Sequence, residues 1–483
     1  MNNQRASPTQ TRRSVLAHAS FARTAAASLL MISGALSAQS SEAAGSRPLT
    51  LEQVIDLAKT NYPAIQAAQA QQRAARGTIG IARTAYLPRT DLLWQTNRAT
   101  ANNIYGLLLP QGVISPITGP VIGTDVSRSA WSSGGGALLS WQPFDFGVRA
   151  ARVTAAEQGN EAAKQAAALT TLEASVGAAS TFFNLAAAHQ LVTVAEANVR
   201  RLETFDKTIH VLVDNSLRPG ADASQADAQL ALAQNQLVQA QTQQDVRRSA
   251  LSKYLRPAEE HPEIDASQVL AALPTSDPET TKTTANPAAL QENFLIQQQD
   301  AQKRVLDRSY VPVFNTLGAI SGRGAGTDLN GHFPGGTAGL APDTFNWAAG
   351  VQVTFAVFDY FGLREQKKVQ QANVQAEHAR YNQAVDEISV GVEQARATLA
   401  GARKIAANTP IELAAARASE QQEQARYRSS LATVVDVATS EGILAQAEGD
   451  DAIARLSVWR AELSVAAAQG DLAPFLQLLK GQP

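Results

Sequence analysis

The sequence predicts a mainly α-helical protein with a small β part, assembled by internal duplication. Three observations carry this. The stretch Phe144-Asp145-Phe146-Gly147 returns as Phe358-Asp359-Tyr360-Phe361-Gly362, and each copy stands where alternating apolar and polar residues give way to a long Ala/Gln/Glu-rich helical pattern. The landmarks around both copies recur in the same order, which is the mark of a duplicated unit. Aromatic residues make up only 6% of the chain, a profile of long helices packed through small side chains rather than around a bulky core.

Composition excludes several function classes. The formal net charge is −2 and Lys and Arg are scattered among Glu and Asp, so no basic stripe suits nucleic acid. With 0 cysteines, the chain offers no disulfide, no thiolate metal site and no cysteine for a lipid anchor. Residues 1–44 read as a secretory signal peptide: Arg5, Arg12, Arg13 and Arg23, an apolar run from Ala25 to Leu36, then small residues with cleavage expected at about 38–44. Thr11-Arg12-Arg13 faintly resembles a twin-arginine signal, but an ordinary basic leader fits better because the apolar run starts well downstream. No later segment has the roughly 18 continuous apolar residues of a membrane-spanning helix, so entry into a membrane would have to be as β-structure.

The first repeat spans 49–255. Thr50 caps a helix with Gln53 in the capping-box position, and Pro63 restarts it as a first helical residue until Tyr86-Leu87-Pro88 stops it. A strand pair is expected at 89–98 and 137–144, with Leu92, Trp94 and Thr96 on one face and Ala137, Leu139 and Trp141 on one face. Between them lies a Gly/Pro-punctuated loop. After Gly147 a proline-free helical pattern runs for roughly 65 residues, about 100 Å at about 1.5 Å per residue. The turn around Ser216-Leu217-Arg218-Pro219-Gly220 leads to a second helix, Asp222 to Leu255.

Residues 256–286 read as a linker with one short helix at 266–272. The second repeat, 287–470, reuses the landmarks: Asn286-Pro287 answers Tyr62-Pro63, and Tyr310-Val311-Pro312 answers Tyr86-Leu87-Pro88. Its strand pair is expected at 311–320 and 346–358, the latter with Trp347, Ala349, Val351, Val353 and Phe355 on one face. Another long helix follows Gly362, with a break or bend expected at Pro410, then a turn at 429–433, a last helix from Val434 to about Gln469, and a short apolar tail at 471–483.

Four strands with one apolar face cannot close a membrane barrel, because the smallest have about eight. An open sheet in lipid leaves edge groups unpaired, so membrane strands would demand oligomerisation. Strand counting does not choose between a dimer and a trimer. The long helices are too polar for lipid and must project from one end, with the strand-to-strand loops at the other.

The duplicated order of Asn-Pro or Asn-x-Pro, Tyr-x-Pro, strand pair, Phe-Asp-x-Gly and long helix, together with the run from Tyr427-Arg428-Ser429-Ser430-Leu431 to Val437, resembles the TolC-type outer-membrane efflux proteins. The resemblance covers nearly all of the chain beyond the leader. It implies a homotrimer, with four strands from each protomer in a 12-stranded barrel in the outer-membrane bilayer, continued by a long α-helical coiled-coil barrel in the periplasm. It implies an exit duct working with a periplasmic adaptor and an inner-membrane pump, with no catalysis and no cofactor. Type I protein secretion is the neighbouring reading; a periplasmic coiled-coil adaptor or structural protein is the reading from another class, which the duplicated strand pairs disfavour.

By resemblance, gate residues lie at the periplasmic tips: Asp436 matches a pore-lining acidic ring, Asp222 is its first-repeat counterpart, and Tyr427 matches an aromatic that ties neighbouring coils. The plain alternative makes Asp222 and Asp436 helix N-caps. Ala432 and Thr439 stand where the family often has Arg and a second Asp, and Ser216 and Ser430 replace the usual turn glycine. Leu217, Arg218, Pro219, Leu431 and Ala432 are the expected adaptor-contact tips. Phe144, Asp145, Gly147, Phe358, Asp359 and Gly362 are expected at the seam between strands and helices, each glycine letting the chain swing into its helix.

Other signals are weaker. Gly322-Arg323-Gly324-Ala325-Gly326 lacks the Lys-Ser/Thr pair of a phosphate loop and reads as a flexible surface loop. The 6 histidines are isolated in sequence; His189, His210 and His378 read as helix-surface residues and no metal site is expected. Trp94, Trp141 and Trp347 suit an interfacial girdle or an ordinary β-core. No nucleophile, base and orienter stand together, so an enzyme is not expected.

Overall fold

The computed structural model describes residues 48–100, 128–255, 262–274, 282–326, 332 and 334–480. The leader reading and most of the first strand-to-strand loop lie outside these residues. The body from Arg47 onward is made of α1 (Leu51–Asn61), α2 (Pro63–Thr84), β1 (Arg89–Thr100), β2 (Ser129–Trp141), α3 (Val148–Asp214), α4 (Gly220–Leu255), α5 (Ser267–Ala271), α6 (Pro287–Asp307), β3 (Val313–Ala325), β4 (Thr344–Thr354), α7 (Asp359–Arg428), α8 (Val434–Gln469) and α9 (Ala473–Lys480).

Local chemistry sets the helix starts. Thr50 and Gln53 form the reciprocal capping box of α1, and Pro63 and Pro287 open α2 and α6, where a missing N–H costs nothing. The two long helices have 67 and 70 residues, about 100 Å each. Pro410 lies inside α7 without ending it, so the break expected there does not occur. Much of the buried surface of α3 is alanine, including Ala174, Ala178, Ala179 and Ala186, and these small side chains let neighbouring helices approach closely.

The four strands form one antiparallel sheet in the order β1-β2-β3-β4. Their register aligns apolar rows on one face: Leu92 opposite Ala137, Ala137 opposite Ile320, and Ile320 opposite Trp347. The next row runs Trp94, Gly135, Gly322, Phe345. This row explains why two strands exceed their expected bounds. The glycine-rich stretches 133–136 and 322–325, read from sequence as loop, belong to β2 and β3. A Cβ on Gly135 would stand 2.5 Å from the Trp94 ring, and one on Gly322 would stand 3.0 Å from Phe345. The glycines are thus the floor on which edge aromatics lie, and a strand glycine that admits a neighbour is a packing residue. β2 also stops at Trp141 and β4 at Thr354, short of the expected 144 and 358.

All four helix connections leave from the end of the sheet that holds Arg89, Trp141, Val313 and Thr354. Leu92 is 82% exposed and Trp347 81%, so the apolar face has no cover within the chain. Trp94 and Trp141 are exposed as well, and none of these three tryptophans is a β-core residue within the chain. Among the described residues, no helix is long and apolar enough to cross a membrane.

The main core is a belt part-way along the long helices. Phe182 and Phe183 of α3 meet Val54 and Ile55 of α1, Leu251 and Leu255 of α4, Leu456, Trp459 and Leu463 of α8, and Phe475 and Leu479 of α9. The described parts of the segments read as linker and tail are therefore structural: α5 contributes Val269, Ala272 accepts a 3.1 Å hydrogen bond from the Trp459 indole, and residue 264 bridges residue 49. Phe475→Ala should cost about 3–5 kcal/mol, read as a lower thermal midpoint of the helical circular-dichroism signal.

Candidate functional site

The two helical tips are built alike. At the end of α3, Ser216 takes φ 59°, the Leu217 N–H donates to the Leu212 carbonyl at 2.9 Å and the Ser216 N–H to Val213 at 2.8 Å. At the end of α7, Ser430 takes φ 61°, Leu431 donates to Arg426 at 2.8 Å and Ser430 to Tyr427 at 2.9 Å. Both are Schellman closures carried by serine where glycine is usual, so each tip holds a left-handed residue that only its hydrogen bonds justify.

Arg218 joins the two tips. Its guanidinium donates to the Tyr427 carbonyl at 3.0 Å and to the Ser430 hydroxyl at 3.3 Å, and stacks 4.5 Å from the centroid of the Tyr427 ring. Tyr427 is 4% exposed and packs edge-on to Phe205 at 5.4 Å. Burial raises its phenol pKa, opposed by Arg218 and aided by Asp222. Ile209, Ala223, Ala226, Val434 and Val437 complete the cluster, which also holds Ala432. Ala432 is 9% exposed within the chain, whereas Leu217 and Leu431, also expected as contact residues, are 69% and 70% exposed.

Asp222 and Asp436 both lie in the first turn of their helices. Neither is the N-cap residue: Thr433 caps α8, and Asp436 is the capping-box partner three residues on, accepting from the Thr433 N–H at 2.7 Å and its hydroxyl at 2.8 Å. The backbone and side-chain hydrogen bonds from Thr433 hold the Asp436 carboxyl below its usual range, so it is ionised near neutrality.

The two strand-to-helix seams differ. At the first, Gly147 takes φ 88° as N-cap of α3 and its carbonyl accepts from Arg308 at 3.1 Å. Asp145 accepts from the Gly147 N–H at 3.3 Å and pairs with Arg149 at 3.1 Å. Burial opposes ionisation of Asp145, but the backbone and side-chain hydrogen bonds from Arg149 prevail and lower its pKa. Arg149, only 5% exposed, also reaches the Ala85 carbonyl at 3.0 Å and covers the Tyr86 ring at 4.9 Å. At the second seam Gly362 is an ordinary residue of α7, which begins at Asp359, and Phe358 has φ −83°. The hinge role expected of Gly362 is therefore not present. Tyr310 takes over, donating to the Val357 carbonyl at 3.1 Å and stacking on Phe355 and Tyr360 at 5.0 and 5.6 Å. The repeated tyrosine serves both seams, through a cation in one and an aromatic cluster in the other. Phe144 and Phe358 are exposed beside them.

Residues 54–255 match the family described as outer membrane efflux protein. The first repeat carries the efflux-protein pattern. Solved structures extend the likeness in fold. The outer-membrane channel OprN is 18% identical with a TM-score of 0.69, covering 87% of this chain and 89% of its own. CusC, studied for transmembrane channel formation, is 14% identical with a TM-score of 0.72, covering 87% and 92%. The CmeC outer membrane channel of Campylobacter jejuni is 16% identical with a TM-score of 0.70, covering 87% and 85%. No curated protein sequence matches the chain. The chain thus shares the fold of these outer-membrane channels over most of its length.

Within this fold, sequence reading missed the tie between the two repeats above the tips. Arg201 of α3 pairs with Glu441 at 2.9 Å and with Glu448 at 3.1 Å, both on α8. Glu441 is 1% exposed and shares its site with Glu420 of α7. Burial, opposed by Arg201 and reinforced by Glu420, pushes the Glu441 carboxyl up to about 6. Residues so far apart leave no motif; the only sequence signal was a set of acidic residues on an otherwise small-residue helix face. His210, read as isolated, is joined in space by Asp206 and Asp227.

Because the folded pKa of Glu441 lies above the ordinary 4.5, its contribution to stability is complete below the unfolded value and is lost as pH rises through about 6. Glu441→Gln should therefore raise the melting temperature at neutral pH, and the gain should shrink as the pH falls towards 4.5, as thermal melts across that range would measure.

Proposed function

We propose that the chain is the outer-membrane exit duct of a tripartite efflux assembly, passively conducting substrates that an inner-membrane pump delivers through a periplasmic adaptor. One observation carries the reading: an antiparallel sheet with two unpaired edges among the described residues and an uncovered apolar face, from one end of which two helices of about 100 Å descend. In lipid such a sheet must be completed by other copies. A trimer gives the twelve strands of the TolC-like arrangement. The family match over 54–255 supports efflux as the activity, and the pump determines the cargo.

In unboiled detergent electrophoresis the outer-membrane fraction should show a trimer that boiling converts to monomer. Release of the protein by carbonate as a soluble species would remove the barrel reading.

The tips are proposed as the gate, with Asp222, Tyr427 and Asp436 at its centre and Leu217, Arg218, Pro219 and Leu431 offering surface to the adaptor. Arg218 holding Tyr427 and Ser430 supports a closed arrangement in which the two turns move together. Carboxylates from several copies at a narrow point would favour cations. Asp222→Asn with Asp436→Asn should raise conductance or weaken cation selectivity in planar bilayers; unchanged single-channel behaviour would argue against this gate.

A further inference from the structure

The α3–α4 hairpin carries a ligand cluster that neither the gate nor the seam uses. His210 of α3 has Asp206 one turn earlier on the same helix and meets Asp227 of α4. Its Nε2 lies 3.1 Å from Asp227 Oδ1 and 3.6 Å from Asp206 Oδ1, and one ligand atom of each residue lies within 4.8 Å of the others. Zinc binds nitrogen and oxygen at about 2.0–2.2 Å, which places neighbouring ligand atoms about 3.3 Å apart in a tetrahedron. The two measured separations straddle that value.

An imidazole hydrogen bond accounts for only part of this geometry. Nε2 carries at most one proton, and Asp227 is its hydrogen-bond partner. Asp206 Oδ1 is left as a buried oxygen without a hydrogen-bond donor, an arrangement with a desolvation cost that a second cationic partner would remove. Asp214, one turn after His210 on α3, adds further negative charge towards the ring. Three carboxylates, Asp206, Asp214 and Asp227, thus surround one imidazole.

We propose that Asp206, His210 and Asp227 bind a divalent transition-metal ion of zinc's class, which bridges α3 to α4 close to their turn. The imidazole selects this class over calcium or magnesium, which prefer all-oxygen shells. Three protein ligands leave a fourth position for water or an incoming ligand. Protons compete with the metal for the imidazole nitrogen.

The test is calorimetric titration of zinc into the purified full-length protein in detergent at about pH 7.5, where the imidazole can release its proton. Saturable binding of one zinc per chain is expected, weakened about ten-fold or more by His210→Ala and by Asp227→Asn. His189→Ala, whose ring is held by Gln244 elsewhere on the hairpin, should bind as wild type does. Cobalt(II) should give a visible absorption band that His210→Ala abolishes. Circular dichroism establishes that each variant is folded. No saturable binding by folded wild type, or equal binding by wild type and His210→Ala, would overturn the proposal and leave the cluster as an imidazole hydrogen-bonded to Asp227.

Discussion

A sheet that cannot satisfy its own edges is the constraint behind this architecture. Antiparallel pairing consumes the hydrogen-bonding groups between β1 and β4, but the outer edge of each remains unpaired among the described residues, and one face is apolar from Leu92 across to Trp347. In water such a surface invites aggregation; in lipid it demands closure by further copies. The other described elements of the chain are arranged to present that sheet. The seams turn each strand pair into helices at one end, and the central belt of aromatic and aliphatic residues holds the helices in register.

Duplication supplies the plan, and the two copies have diverged in chemistry. The first seam is an electrostatic joint, with buried Arg149 held by Asp145 and stacked on Tyr86. The second is an aromatic joint around Tyr310. A buried ion pair is sensitive to the loss of either partner, whereas an aromatic cluster shares its stabilisation among several contacts. The tips kept their geometry instead, both closing through a left-handed serine. The tips are thus where the geometry of the two repeats remains most alike.

Two charged ties join the repeats near the tips. Arg201 ties α3 to α8 through Glu441 and Glu448, while Arg218 ties the α3–α4 turn to the α7–α8 turn. Any motion that separates the second helix pair from the first must break both, and the Glu441–Glu420 site makes the upper tie responsive to pH. The apolar tip cluster around Tyr427 sits between these two ties.

By itself the sequence determined what is local. Helix starts at Thr50, Pro63 and Pro287, the period of the long helices, the two turns and the repeated order all depend on residues a few positions apart, so they were legible without coordinates. Tertiary structure decided what depends on pairing across the fold. Gly135 and Gly322 are strand residues because Trp94 and Phe345 lie over them; Ala432 is buried because Tyr427 and Val437 close on it. Gly362 has no hinge role because α7 starts before it, and Pro410 fails to break α7, which runs on along α8. Arg149, the Arg201–Glu441 tie and the meeting of His210 with Asp227 left no pattern in the chain. Periodicity records which face a residue occupies, while the partner that it meets there is set only when the elements pack.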